Sequence, residues 1–223
     1  MKLIGRYDSP YVRRVGVSLH VLGQAFEYLP LSPFSQAAEF RKFSAIGRMP
    51  VLLLDNGETL IDSAAILDYL DQLCGPARAL LPARGAQRRQ CLRLLAFATA
   101  ACDKTIAINY ERRRPRDKIF PDWIARCRTQ LDAALGALEE AGLALADNRP
   151  LQQVEISTAC MFSYVRRVEP EAVAKGVYGA LERLTAGCEA RPEFMACPQR
   201  EADERDASAL GATAPTRNRP PQA

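Results

Sequence analysis

Several short segments in the first third of the chain carry groups that could bind a sulfur compound or an extended peptide. The first is Ser9-Pro10, which follows the apolar run Leu3-Ile4. A serine before a proline is an ordinary helix start, because serine caps the helix and proline fits its first turn. The same hydroxyl, beside the positive end of the helix dipole, could instead favour the ionised form of a bound thiol. These residues alone leave both interpretations open.

The second segment is Gly47-Arg48-Met49-Pro50, directly before an apolar run. Proline lacks the N–H that a sheet needs, so Pro50 belongs at the first position of a strand. A trans Pro50 would do no more than begin that strand. A cis Pro50 would turn the Met49 backbone outward, where its N–H and C=O could pair with an extended peptide. Arg48 is either a surface cation or a contact for such a peptide.

The third segment is Asp62-Ser63, at the predicted start of another helix. Both residues are good caps. A helix N-terminus with a hydroxyl can also bind a carboxylate, and Asp62 could hold an ammonium group. Together the three segments would offer sites for a thiolate, a peptide backbone and an amino-acid end. These are the three parts of glutathione.

The cysteines argue against a dithiol redox enzyme. Redox enzymes of the glutaredoxin kind carry Cys-Pro-Tyr-Cys at the end of their first strand, where this chain has Ser9-Pro10-Tyr11-Val12. The seven cysteines of the chain are scattered and form no Cys-x-x-Cys pair. This usage is typical of buried thiols in a reducing compartment rather than of a disulfide framework.

The composition argues against several other classes of protein. Hydrophobic residues make up 48% of the 223 residues, and the net charge of +4 comes from interleaved acids and bases. Without a basic stripe we expect no nucleic-acid partner. The single histidine, His20, and the lack of ligand spacing predict no metal. No apolar run reaches the ~18 residues of a membrane span, and no signal-peptide pattern opens the chain, so we expect a soluble cytoplasmic protein.

Hydrophobic periodicity predicts strands and helices in the first part of the chain and helices alone in the rest. Two strands joined by a crossover helix imply parallel pairing, and a short helix is expected at about 37–43. Asn56-Gly57 predicts a hairpin in which both turn residues have positive φ. The later helices are expected at about 87–113, 121–141, 152–167 and 171–189.

The order of these segments resembles the glutathione S-transferase family. The matching features are a β-α-β start, Gly47-Arg48-Met49-Pro50-Val51-Leu52, a hairpin, Asp62-Ser63, and then helices only. The resemblance covers about residues 1–197. The start Ser9-Pro10-Tyr11-Val12-Arg13-Arg14 is similar to the serine-type bacterial branch rather than to the tyrosine or cysteine branches.

The resemblance implies an α/β plus all-α fold in two domains. We expect a thioredoxin-like domain over residues 1–79, a linker over 80–86 and an all-helical domain over 87–198. Residues 199–223 are polar and rich in proline near the end, so we expect a disordered tail there. A homodimer is implied by the family.

The resemblance assigns the catalytic role to Ser9, which would hydrogen-bond the glutathione sulfur. Tyr7 is the runner-up, because other classes of the family use a tyrosine late in the first strand. Asp8 is an acidic neighbour whose role stays open. Its carboxylate would oppose activation if it pointed inward, and it could itself be the helix cap.

The same resemblance implies the contacts for the rest of glutathione, which would be a co-substrate. Met49 would pair its backbone with the cysteinyl unit, and Pro50 would be a cis-proline. Asp62 and Ser63 would hold the γ-glutamyl end, with Arg48 near the peptide.

An acceptor site is expected between the domains. Its candidate residues are Tyr11, Val12, Phe34, Asn109, Tyr110 and Arg113. The predicted function is transfer of the glutathione thiolate to an electrophilic small molecule, as in detoxification. The alternatives are a glutathione-dependent isomerase or lyase, and a non-catalytic interaction protein with the same fold.

Two segments depart from the family pattern. Ser44-Ala45-Ile46 stands where the family usually has Asn-Pro, before Gly47. Gln152-Gln153-Val154-Glu155 stands where the family usually has a Ser/Thr-x-x-Asp capping box. Because glutamine caps poorly, this helix start is expected to cost ~1 kcal/mol relative to serine.

Overall fold

The computed structural model describes residues 1–146 and 149–199, so the predicted tail lies outside the described residues beyond Gln199. The strands are β1 (Lys2–Ile4), β2 (Glu27–Leu29), β3 (Val51–Leu53) and β4 (Thr59–Leu60). The helices are α1 (Pro10–Val21), α2 (Ala37–Phe40), α3 (Ser63–Cys74), α4 (Gly85–Arg112), α5 (Pro121–Glu140), α6 (Gln153–Val168), α7 (Gly179–Glu189) and α8 (Pro192–Met195).

The four strands form one mixed sheet in the order β2-β1-β3-β4. The β1–β2 pair is parallel, with Leu3 opposite Tyr28, as the crossover helix predicted. The β1–β3 and β3–β4 pairs are antiparallel, with Leu3 opposite Leu52 in the first of them. The prediction of a thioredoxin-like sheet followed by a largely helical part is confirmed.

The hairpin between β3 and β4 forms where Asn56-Gly57 predicted it, but with a different turn. Gly57 has a positive φ, of 89°, but Asn56 does not, since every positive φ in the described chain belongs to a glycine. The Leu54 N–H donates to the Glu58 carbonyl at 2.8 Å, and the Gly57 N–H donates to the Leu54 carbonyl at 3.0 Å. The Asn56 side chain accepts from the Glu58 N–H at 3.0 Å. A three-residue loop ending on a left-handed glycine therefore replaces the expected two-residue turn.

Helix α7 is shorter than its periodicity suggested. We expected a helix from residue 171, whereas α7 begins at Gly179 after a 3₁₀ turn over Pro170–Ala172. Gly176 lies between them with a φ of 85°, which a right-handed helix cannot contain. The apolar residues that precede α7 therefore lie in an irregular segment rather than in a helix.

Helix α6 begins at the predicted place, with Gln152 as its N-cap. The buried Glu155 carboxylate accepts from the Gln152 N–H at 2.8 Å. Arg149 Nη1 donates to the same carboxylate at 2.9 Å. Glu155 therefore satisfies a helix-end donor and offsets part of the cost expected of a glutamine cap.

The two parts of the molecule share one hydrophobic core. Val15 and Leu19 of α1 belong to the same buried cluster as Ile156 of α6 and Phe194 of α8. Every residue of α6 from Gln153 to Val165 is buried. Helix α1 is therefore packed between the sheet and the helical part.

A buried ion pair crosses this contact. Arg13 of α1 is 1% exposed, and its Nη1 and Nη2 donate to the two carboxylate oxygens of Glu189, at 2.6 Å each. Its Nε donates to the Cys197 carbonyl at 2.8 Å, and its guanidinium lies 5.2 Å from the Phe194 ring centre. Burial opposes ionisation of Glu189, but hydrogen bonds and charge from Arg13 outweigh it and lower the pKa of Glu189. The pair therefore ties α1 to the end of the described chain.

Within the described ranges, none of the helices combines the length and apolar character that crossing a bilayer requires.

The substitution Glu189→Gln is expected to lower the free energy of unfolding by about 2 kcal/mol at neutral pH, because it leaves the Arg13 cation buried without its counter-charge. This decrease in the free energy of unfolding is smaller than is usual when a buried ion pair is broken, because the Glu189 side chain is 34% exposed. Denaturant unfolding measures the difference. The matched control is Glu27→Gln, which removes an exposed ion pair of 2.8 Å to Lys2 and should change stability by less than about 1 kcal/mol.

The difference in stability between the wild-type protein and Glu189→Gln should depend on pH. Since the pKa of Glu189 is lower in the folded than in the unfolded protein, the stabilisation is complete above the unfolded value of about 4.3 and disappears as pH falls through the folded value. The gap between the wild-type protein and Glu189→Gln should therefore narrow on acidification. An equal gap at low and neutral pH would contradict the ion-pair account.

Candidate functional site

A cleft of about 660 Å³ lies between the sheet domain and the helical part. Loops and the start of α1 line one wall, and α4 and α6 line the other. The first wall consists of Asp8, Ser9, Pro10, Tyr11, Pro33, Phe34, Gly47, Arg48 and Met49. The second wall consists of Asp103, Ile106, Asn109, Tyr110, Arg113, Tyr164, Arg167 and Val168.

Ser9 lies at the floor of this cleft as the N-cap residue of α1. Its backbone is extended, with φ −79° and ψ 121°, and Pro10 occupies the first helical position. The Ser9 side chain makes no capping hydrogen bond. The hydroxyl is therefore not used to satisfy the helix end, and Ser9 lines the cleft at the positive end of a 12-residue helix.

Asp8, whose role the sequence left open, is not the helix cap. Its carboxylate lies 3.8 Å from Arg6 Nε, and Arg167 Nη2 donates to its backbone carbonyl at 2.9 Å. Two guanidinium groups thus lie beside Asp8. They reduce the negative potential that its carboxylate would otherwise impose at Ser9.

The segment before β3 is held by a short internal network. The buried Ser44 hydroxyl donates to the Arg48 carbonyl and accepts from the Arg48 N–H, both at 3.2 Å. The Met49-Pro50 peptide bond is cis. Within residues 1–146 and 149–199, the Met49 N–H and C=O make no backbone hydrogen bond. Arg48 and Met49 line the cleft, while Pro50 is buried behind them.

Asp62 and Ser63 lie at the start of α3 and outside the residues that line the cleft. The Asp62 carboxylate caps the helix by accepting from the Ala64 N–H at 2.9 Å. Ser63 is 2% exposed, and its hydroxyl oxygen accepts from Arg14 Nε at 3.2 Å and from Arg14 Nη2 at 2.7 Å. The structure therefore joins Ser63 to an α1 residue to which the sequence analysis gave no role.

Five of the six acceptor-site candidates line the cleft, namely Tyr11, Phe34, Asn109, Tyr110 and Arg113. Val12 does not, because it points into the core and is 0% exposed. Its inclusion was wrong for a simple reason: Tyr11 and Val12 are neighbours on a helix, so their side chains point in directions about 100° apart.

Tyr11 is fixed by Asp103, whose carboxylate accepts its hydroxyl proton. Burial, with the nearby Cys102 and Asp103, raises the pKa of Tyr11, so its phenol stays protonated at neutral pH. The one hydroxyl hydrogen of Tyr11 is therefore held by Asp103, so the neutral phenol can accept a hydrogen bond from a ligand but cannot act as a base.

Tyr7 takes no part in the cleft. It is 6% exposed and its ring stacks on that of Tyr28, with the centres 4.2 Å apart. Burial and the neighbouring Cys197 raise its pKa. Its phenol is therefore enclosed by the core rather than directed at the cleft.

Residues of α6 and Asp103 of α4 were missed by the sequence analysis. Arg167 lies with its guanidinium 5.4 Å from the Tyr164 ring centre, and both line the cleft with Val168. Little in the sequence pointed to a role for Arg167, because a pair of cations such as Arg166-Arg167 is common at the C-terminal end of a helix. Only the packing of α6 against α1 directs one of them to the cleft.

The residues that line the cleft suit a ligand that carries negative charge and lies beside Ser9. Arg48, Arg113 and Arg167 bring three cations to the lining, against the acids Asp8 and Asp103. None of the cysteines, all of which lie in the described part of the chain, is among the residues that line it. Burial raises the pKa of the Cys102 and Cys160 thiols, so these residues are inert. Any thiolate that reacts here must come from a ligand.

Comparison with known proteins shows which family the chain resembles. The model of the glutathione S-transferase N-terminal domain matches residues 3–78. An uncharacterized glutathione S-transferase-like protein of Escherichia coli K12, YibF, is 30% identical over 173 residues, which are 76% of this chain and 85% of the relative.

Two further matches extend the comparison. A glutathione transferase family member from Pseudomonas fluorescens Pf-5, solved with bound glutathione, shares 32% identity at a TM-score of 0.78, covering 90% of this chain and 99% of that one. A maleylacetoacetate isomerase of Pseudomonas aeruginosa is 36% identical over 97 residues, which are 40% of this chain and 45% of the relative. Given the fold, the cis-proline segment and these matches along most of its length, the chain belongs to the glutathione S-transferase family.

Proposed function

We propose that this protein is a glutathione transferase, which adds the glutathione thiolate to an electrophilic small molecule. The observation that carries the proposal is Ser9, which lines the cleft at the start of α1 and whose hydroxyl makes no capping hydrogen bond. A hydroxyl in that position can donate its proton to an anionic sulfur. The helix dipole favours the same charge.

The proposed reaction needs no base from the protein. A free thiol has a pKa of about 8.5, and a hydrogen bond to the thiolate together with the helix end lowers it, so the thiol proton passes to water at neutral pH. The sulfur lone pair then forms a C–S bond with the electrophile. Either a leaving group departs with its bonding pair, or a double bond accepts the pair and is then protonated by water.

The remaining parts of glutathione would be held by the first wall and the start of α3. The Met49 N–H and C=O, which have no backbone partner within the described residues, suit an extended cysteinyl unit. Arg48 suits a carboxylate of the peptide. Asp62 and Ser63 suit the ammonium and carboxylate of the γ-glutamyl end.

The electrophile would lie between the two walls. Tyr11 and Phe34 of the first wall supply aromatic surface, and Tyr110 and Asn109 of the second wall supply a further ring and an amide. Arg113 lines the same wall, and its guanidinium makes no hydrogen bond or ion pair with any residue that the structure describes. An acceptor that carries a carboxylate, or that releases an anion, would therefore be favoured.

The proposal includes a cytoplasmic homodimer and a role in detoxification. Leu73 of α3 and Leu92 of α4 are 50% and 44% exposed, which suits burial against a second copy.

One alternative is a glutathione-dependent isomerase. The match to a maleylacetoacetate isomerase favours it. In this proposal the isomerase, like the transferase, would begin by adding the glutathione thiolate to its substrate. The isomerase would return free glutathione, whereas the transferase would consume it stoichiometrically. The other alternative is a non-catalytic protein. It would turn over neither kind of substrate, whether or not it binds glutathione.

The substitution Ser9→Ala is expected to lower kcat/KM for an aryl halide about a hundredfold, because one donor to the developing anion is lost. Since the thiolate also loses stabilisation, the pH profile of kcat/KM should move to higher pH by about one unit. Initial rates between pH 6 and pH 9 measure both effects. Ser9→Thr, which keeps a hydroxyl, is the matched control and should retain most of the activity. Wild-type rates in Ser9→Ala would remove Ser9 from the mechanism.

The substitution Arg113→Gln tests the second wall with two acceptors, 4-chloro-3-nitrobenzoate and its uncharged methyl ester, each compared between the variant and the wild-type protein. We expect kcat/KM to fall about tenfold for the acid and less than about twofold for the ester, because a charge-assisted contact is lost only with the acid. Steady-state rates at saturating glutathione measure this ratio. Arg116→Gln, an exposed arginine outside the cleft, is the control. An increase in the KM for glutathione would instead place Arg113 at the peptide.

A further inference from the structure

The turn that precedes α1 carries Ser9 to the cleft. The Ser9 N–H donates to the Arg6 carbonyl at 3.0 Å, and the Ser9 carbonyl accepts from the Arg13 N–H at 3.0 Å. Both bonds lie within the sheet domain. A third bond comes from the helical part, where Arg167 Nη2 in the last turn of α6 donates to the Asp8 carbonyl at 2.9 Å. The residue before Ser9 is therefore bonded to the opposite wall of the cleft.

The same bond limits how far a positive charge can lie from Ser9. The Asp8 carbonyl oxygen and the Ser9 Cα belong to one planar peptide unit and are about 2.8 Å apart. Arg167 Nη2 therefore lies no more than about 6 Å from the Ser9 Cα. A guanidinium in a protein is not deprotonated. A sulfur hydrogen-bonded to the Ser9 hydroxyl would thus lie within about one Debye length, ~10 Å at 0.1 M salt, of a permanent cation.

Arg167 is also fixed on a second side. Its guanidinium carbon lies 5.4 Å from the ring centre of Tyr164, one turn earlier on α6, and both residues line the cleft. A charge that a ring and a carbonyl already orient needs little reorganisation when an anion binds beside it. In a partly enclosed cleft such a charge also interacts more strongly than it would in bulk water.

Other charged groups face the same space. The first wall supplies Arg48 and Asp8, whose carboxylate lies 3.8 Å from Arg6 Nε, and α4 supplies Asp103 and Arg113. Burial raises the pKa of the three phenols in the lining, so they stay neutral below about pH 9: Tyr11, Tyr110 and Tyr164. All of these groups are unchanged in a variant of Arg167, so a comparison with the wild-type protein isolates the one guanidinium that is bonded to the peptide unit of Ser9.

We propose that Arg167 is a positioning residue of the sulfur site, which acts through the Asp8 carbonyl to hold a permanent cation beside Ser9 and so favours an ionised sulfur there. This rests on the proposed function, in which that sulfur belongs to glutathione. The helical part thereby contributes to activation of the thiol, and its role is not limited to the electrophile. The cation also offsets the Asp8 carbonyl and carboxylate, which would otherwise oppose a negative charge.

The variants separate the charge of Arg167 from its hydrogen bond. Arg167→Gln keeps a donor for the Asp8 carbonyl but removes the charge, whereas Arg167→Lys keeps the charge. Arg167→Met is a second uncharged variant, so the result does not depend on one replacement. The matched control is Arg166→Gln, which removes the same charge from the neighbouring exposed residue, outside the cleft. Denaturant unfolding verifies that each variant is folded.

The first measurement is the pKa of the glutathione thiol in the binary complex with the full-length protein, without an electrophile. The ultraviolet absorbance of the thiolate is followed against pH, and the complex with S-methylglutathione serves as the blank. Arg167→Gln and Arg167→Met should raise this pKa by about 0.5 to 1 unit relative to the wild-type protein. Arg167→Lys should change it by less than about 0.3 unit, and Arg166→Gln should leave it unchanged.

The second measurement is kcat for an aryl halide at saturating glutathione. Below the thiol pKa of the wild-type complex, Arg167→Gln should lower kcat about three- to tenfold, because less of the bound glutathione is ionised. At higher pH its rate should approach that of the wild-type protein. A merely structural role would lower the rate by the same factor at every pH.

A thiol pKa in Arg167→Gln equal to that of the wild-type complex would overturn the inference even if turnover fell, because Arg167 would then act on the electrophile. An equal rise in Arg167→Lys and Arg167→Gln would overturn it as well, since geometry rather than charge would then matter. In both cases a wild-type thiol pKa below that of free glutathione would leave the proposed function standing. A wild-type protein that binds no glutathione at millimolar concentration would overturn both.

Discussion

The bidentate contact between Arg13 and Glu189 is the interaction on which the arrangement of the molecule depends. It joins a residue in the first turn of α1 to the end of α7, across the boundary between the sheet domain and the helical part. Without its acid, Arg13 would be a buried cation without a counter-charge. Because the contact holds the start of α1 against the helical part, it also holds Ser9, four residues earlier, beside the wall formed by α4 and α6.

Helix α1 thus serves three purposes with neighbouring residues. Successive side chains on a helix point about 100° apart, so Arg13 and Arg14 diverge toward different partners. Arg13 meets α7 and the segment after α8, whereas Arg14 meets the start of α3. The N-terminal end of α1 lines the cleft. A change in the packing of α1 would therefore move Ser9 at the cleft and Arg14 behind Ser63 together.

Much of the fold could be predicted because its signals are local. Asp62 caps α3 and Gly75 ends it, the strand-helix-strand start pairs in parallel, and the Met49-Pro50 bond is cis as the family resemblance implied. Where the signals were ambiguous the prediction failed. A glycine with positive φ shortened α7, and the hairpin used Gly57 alone rather than Asn56 and Gly57. The sulfur contact of Ser9 and the exact domain limits remain predictions.

The sequence by itself determined the order of the elements, the caps of α1, α3 and α6, and the candidate glutathione-binding segments that lie close to a helix or strand start. These depend on hydrogen bonds and side-chain patterns within a few residues. Only the tertiary structure decided that Arg167 and Tyr164 line the cleft, that Val12 and Tyr7 do not, and that Arg14 lies behind Ser63. Helix α6 is buried on all sides from Gln153 to Val165, so its periodicity carries no information about which face meets α1. That choice is made by long-range packing and by one buried ion pair, neither of which is visible along the chain.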